Sequence, residues 1–228
     1  MSAHHTLSIA ELRGIFVEEV AAAGGDMLDA YETDRYLVAR AKRPALRDVQ
    51  AGDSLQGGVA IRACDGDVCV NPFVYRLICR NGAIMALALE ARRMRASDFL
   101  SPTELEDSLR GAVRSCCAEH VLASQVEAIR KTRASRADLA IMMMPFLSRH
   151  RDAMGILRMV FERFMGEDDH STYGLMNAIT SVARDTRDPD TRWRLEELGG
   201  GVPSFKPAPT RPTGAARGDV AALASSTA

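Results

Sequence analysis

Lysine is almost missing from this 228-residue chain: among 29 basic residues, only Lys42, Lys131 and Lys206 are not arginine. Thirty acidic residues bring the formal net charge to −1, which excludes a protein that coats polyanions through overall charge. Any nucleic-acid contact must then come from a local patch. Long apolar runs are missing as well. No stretch approaches the roughly 18 consecutive apolar residues of a membrane span. The start, MSAHHTLSIAEL, has no basic region followed by an apolar block, so neither a signal peptide nor a membrane partner is expected. Five cysteines, an odd number without a leader, fit the reduced cytoplasm better than a disulfide framework. No Walker-type or dinucleotide glycine run occurs, and Gly57-Gly58 lies in no strand-to-helix context.

What is present is unevenly spread. Residues 1–34 carry a net charge of −6, residues 76–95 one of +4 and residues 128–163 one of +5. The positive segments are nearly all arginine, whose planar guanidinium suits bidentate contact with phosphate or carboxylate. An excess of Ala and Arg is also what GC-rich DNA encodes, so composition leaves both explanations standing.

Periodicity divides the chain. Ser8 with Glu11 forms a capping box ahead of Ile9, Leu12, Ile15, Phe16 and Val20 at helical spacing, up to Gly24-Gly25. RYLVARAK and LQGGVAIRA read as strands separated by Pro44. Asp65-Gly66 marks a tight hairpin, and Asn81-Gly82 a second one after the extended run FVYRLICR. This gives a meander of about four strands over residues 35–90. From residue 101 the period becomes helical. Ser101, Pro102 and Glu104 start one long helix to about Lys131, with Leu105, Leu109, Val113, Cys116/Cys117, His120 and Val121 on its buried stripe. Ser135 or Asp138 starts another, which Pro145 should kink or split. Thr172–Arg184 and Pro189–Leu198 are shorter helices, the last capped by Asp188 and ended by Gly199-Gly200-Gly201. Residues 202–228, rich in Pro, Ala, Ser and Thr, read as a disordered tail. The expected fold is a single α+β domain over residues 1–201: an N-terminal helix, a small antiparallel meander near 35–95, and a helical half near 101–200.

Few residues point to catalysis. Cys64 and Cys69 flank the Asp-Gly turn, but with Cys79 they still lack a fourth zinc ligand, and buried thiols commonly act as small hydrophobes. Asp168, Asp169 and His170 offer a metal-ligating set, although such an acidic cluster is more often only a loop before a helix cap. His120, His150 and His170 belong to no nucleophile signature. No cofactor, metal or catalytic residue is assigned.

The basic strand remains. In an extended FVYRLICRNG, Arg76 and Arg80 share one face, with Asn81 at the turn and Arg92, Arg93 and Arg95 in the following segment. Such a row makes a groove for a phosphate backbone. The alternative is that Arg76 pairs with an acid such as Glu90 or Asp67 at a sheet edge.

Two blocks, DSLQGGVAIRACDGDVCVNPFVYRLICRNGAIM and YGLMNAITSVARDTRDPDTRWRLEELGGGV, resemble the phage and plasmid-like protein family known as domain of unknown function 932 (DUF932). Arg76, Cys79, Asn81 and Gly82 match its Arg-x-x-Cys-x-Asn-Gly turn; Asn177–Thr180 and Glu197–Gly200 match its C-terminal helix and glycine ending. The resemblance spans about residues 35–202. It departs at ARRMR, where longer members carry an Arg and His pair and this chain has no histidine. It implies a phage, prophage or plasmid setting and no agreed activity.

The sequence thus leads first to a nucleic-acid-binding accessory of a mobile element, favouring single-stranded DNA, of the annealing or recombination kind. Self-association would line a shared groove with arginines. The second reading is a protein-binding module, such as an inhibitor of a host defence system, using the methionine-rich IMMMPF segment.

Overall fold

A computed structural model describes residues 7–129, 136–147 and 153–205. Helix α1 (Ile9–Ala22) opens with the capping box expected of it: Ser8 Oγ accepts from the Glu11 amide at 3.2 Å, and Glu11 Oε2 accepts from the Ser8 amide at 2.7 Å. Strands β1 (Asp26–Thr33), β2 (Tyr36–Gln50), β3 (Asp53–Cys64), β4 (Asp67–Arg76), β5 (Asn81–Ile84) and β6 (Arg92–Arg95) form one antiparallel sheet in the order β1-β2-β3-β4-β5, with β6 also on β4. Six helices follow β6: α2 (Pro102–Cys116), α3 (Glu119–Ile129), α4 (Arg136–Leu147), α5 (Ala153–Gly166), α6 (Thr172–Asp185) and α7 (Pro189–Gly201). The α+β class, with its segregated elements, is as the sequence indicates.

Several boundaries differ from expectation, each for a physical reason. β1, DMLDAYET, lacks apolar alternation and has no fully buried residue, so periodicity does not mark it. β2 runs 15 residues straight past Pro44, because the register shifts between Lys42 and Leu46 and a bulge tolerates a residue without an amide hydrogen. The long helix after Ser101 breaks at Cys117-Ala118 into α2 and α3. His120, placed on the buried stripe by spacing, is exposed beside Glu90, with Nε2 to Oε1 at 3.3 Å. Pro145 lies within α4, which continues to Leu147, and α5 begins at Ala153; Ser135, His150 and the residues between the two helices lie outside the described residues. Val202–Ser204 forms a 3-10 turn with Val202 buried, so the ordered chain continues past residue 201; residues 206–228 lie outside the described range.

Alternation along the strands creates two sheet faces. One carries Leu37, Ala39, Val59, Ile61, Val68, Val70 and Met94 against α1 and α2. The other carries Val38, Ala60, Phe73 and Ile84 against the fully buried Trp193 of α7. The remaining helices pack on Leu55, Val74 and Ala83 at the β3–β4–β5 end.

Gly199 and Gly200 do not stop α7. They sit within it, where a Cβ on Gly199 would crowd the Thr180 methyl and one on Gly200 would overlap the Ile84 carbonyl. Gly200→Ala is therefore expected to cost about 1–3 kcal/mol in a urea titration through overpacking. Gly201→Ala, with no atom near its added methyl, should leave the midpoint almost unchanged.

Candidate functional site

The first block of motif residues is turned inward. β4 ends at Arg76, and Leu77–Arg80 form a turn, so the strand does not extend to Arg80 and the two arginines share no face. Asn81 and Gly82 are not the turn either; they begin β5, with Asn81 opposite Arg76.

Arg76 clasps Asp53 at the start of β3: Nε to Oδ1 is 2.9 Å and Nη2 to Oδ2 is 2.6 Å. Its Nη1 donates to Cys79 Sγ at 3.1 Å, and its guanidinium carbon lies 5.2 Å from the Tyr173 ring centre. The two side chains are only 15 % and 4 % exposed. Burial alone would lower the Arg76 pKa, but the hydrogen bonds it donates to Asp53 outweigh that and raise it, so the guanidinium stays charged. Arg76 is thus removed from the proposed phosphate row. Its acidic partner is neither Glu90 nor Asp67.

Asn81 is buried too, its Nδ2 donating to Thr180 Oγ1 at 2.7 Å. Gly82 lies beneath the Phe73 ring, which leaves no room for a Cβ. Directly before the aligned ending, Glu196 accepts from Arg40 Nε at 2.6 Å and Arg192 Nε at 3.0 Å, and both arginines also reach Asp29. The two blocks that suggested a family are therefore the two sides of one seam, β4–β5 against α6 and α7. Among Arg76, Cys79, Arg80, Asn81 and Gly82, only Arg80 is exposed, at the turn end with φ of 51°.

Arg92, Arg93 and Arg95 are exposed on β6, which flanks the opposite end of β4. With strand rise near 3.3 Å per residue, roughly 20–30 Å separates them from Arg76, so the six arginine-rich positions do not form one groove. β6 instead meets residues that strand composition alone did not single out. The two-residue turn Asp65-Gly66, both with positive φ, fixes Cys64 opposite Asp67 and Arg62 opposite Cys69; β6 then sets Arg93 opposite Cys69 and Arg95 opposite Asp67. Arg62, Cys64, Asp67, Cys69, Arg93 and Arg95 consequently share one face. With Asp65 they line an open groove of about 340 Å³. Applied across that turn, alternation could have found Arg62.

Arginine outnumbers carboxylate here. Arg93 Nη2 and Arg95 Nε share the single Asp67 carboxylate, at 3.1 and 3.4 Å. Arg62 Nη2 and Arg194 Nε share Asp190, at 2.6 and 2.8 Å, and Arg62 also lies 5.6 Å from the Tyr36 ring centre. Glu197, close to Arg62, is pushed up by burial, with Trp193 and Arg62 acting against the shift. Burial likewise pushes up the Cys64 and Cys69 thiols, which keeps them protonated near neutrality rather than reactive thiolates.

Among the described residues, no helix is long and apolar enough to cross a membrane. No family model, no curated protein and no solved structure matches the chain.

Proposed function

We propose that this protein is a nucleic-acid-binding accessory of a phage or plasmid-like element, engaging the backbone of single-stranded DNA along the Arg62–Arg93–Arg95 groove. One observation carries the reading: three guanidinium groups converge on an open sheet face where paired arginines share single carboxylates. A phosphate entering there meets N–H groups not fully used by Asp67 and Asp190. Arg92 shares the Met94 face of β6 and does not line the groove; Arg76 and Asn81 contribute by holding the hairpin, without touching DNA.

Fluorescence anisotropy with labelled single-stranded DNA tests this. About three backbone contacts imply a log-log salt slope near −2 for single strands, or roughly 20-fold weaker binding between about 50 and about 200 mM salt. Arg93→Ala with Arg95→Ala should weaken binding and flatten the slope by more than 1. Undetectable binding of the wild type at low salt, or an unchanged slope in the double variant, would remove the proposal.

A second reading rests on the outer surface of α4 and α5. Met142 and Met143 are core residues, but Ile141, Met144, Met154 and Phe161 are exposed. Such a surface suits a protein partner, and capture from host lysate that survives nuclease treatment and disappears in Met144→Asp/Met154→Asp would favour it.

A further inference from the structure

We infer that a second copy of this chain adds its β1 edge to the outer edge of β6, joining molecules head to tail. β1 and β6 are terminal strands, each paired on one side only among the described residues. β5, the other strand beside β4, lies under α6 and α7. An open strand edge is a template for further main-chain pairing.

Charge selects which edges meet. β1 and its turn carry Asp26, Asp29, Glu32 and Asp34, with no basic residue before Arg35; Asp29 is held by Arg40 and Arg192, so Asp26, Glu32 and Asp34 are the acids this edge presents. β6 carries Arg92, Arg93 and Arg95 and no acid. Pairing β6 with β6, or β1 with β1, would set like charges opposite each other, whereas β1 against β6 sets acids beside arginines. The contact is therefore between unlike surfaces, and repetition closes a ring or extends a filament.

Exposed apolar groups surround both edges. Leu89 and Leu100, 89 % and 93 % exposed, bracket β6, and the half-exposed Tyr31 stands on β1. Apolar groups left in water beside a complementary polar edge gain by being covered. Strand addition uses backbone groups, so the Arg93 and Arg95 side chains stay on the groove face. The association is independent of nucleic acid.

Sedimentation velocity of the full chain, without DNA, tests the contact. The wild type should form oligomers at low salt that dissociate as salt rises. Asp26→Lys/Glu32→Lys/Asp34→Lys leaves β1 and its turn with three lysines against Asp29, so that both edges are basic, and Arg92→Glu/Arg95→Glu makes both acidic; each variant alone should sediment as a monomer. Their equimolar mixture should recover oligomers, since each reversed edge then finds its opposite. A monomeric wild type at low salt, variants that still assemble alone, or a mixture that stays monomeric would overturn the inference. Hydrogen exchange on the wild type gives a second readout that does not depend on variant folding. Amides of Asp26–Thr33 and Arg92–Arg95 should gain protection together as concentration rises, and protection of one edge without the other would be contrary to it.

Discussion

Asp53→Ala is expected to destabilise the folded chain by about 3–5 kcal/mol, the range for removing one partner of a buried ion pair. The loss exceeds the value of the contact itself, because Arg76 would be left charged beneath Tyr173 with only Cys79 Sγ as an acceptor. Solvent cannot readily replace the carboxylate at a side chain 15 % exposed. Urea denaturation of the single variant and of Asp53→Ala/Arg76→Met separates the two costs. The double variant should regain most of the loss, since an apolar pair of similar volume avoids desolvating charge. A single variant within about 1 kcal/mol of wild type would mean the pair is far more hydrated than its burial indicates.

The second large effect is expected at Glu196→Ala, again about 3–5 kcal/mol. Here one carboxylate serves two guanidiniums, and Arg40 is only 3 % exposed. Asp29 would have to serve both arginines alone, while the cavity left by a side chain that is almost fully buried adds to the loss. Glu18→Ala is the control. Its carboxylate also bonds an arginine, Arg110, at 2.9 Å, but is two-thirds exposed and should change stability by less than about 1 kcal/mol. Equal melting temperatures for the two variants would contradict this account.

Local chemistry was the legible part of the sequence. The Ser8–Glu11 box, Ser101-Pro102, Asp188-Pro189 and the Asp65-Gly66 turn act through neighbours within a few residues, and each appears where the sequence puts it. What failed depended on distant partners. Asn81-Gly82 reads as a turn, yet Gly82 is required by the Phe73 ring and Asn81 by Thr180, nearly a hundred residues onward. The α7 glycines read as a stop but answer to Ile84 and Thr180. Arg76 among apolar residues did leave the correct alternative open, an internal ion pair, though no pattern identifies Asp53. Alternation across the Asp65-Gly66 turn sets Arg62 on the face of Cys64, Asp67 and Cys69, but only the register of β4 with β6 brings Arg93 and Arg95 beside it.

The seam between the hairpin and the last two helices has a consequence during synthesis. Ile84 leaves the ribosome 116 residues before Gly200, which at typical elongation rates is a delay on the order of ten seconds. Throughout that interval the sheet surface destined for Trp193 has no cover, and Arg40 lacks Glu196. A nascent chain in that condition is a substrate for chaperones and proteases, and truncation upstream of α7 would make the exposure permanent.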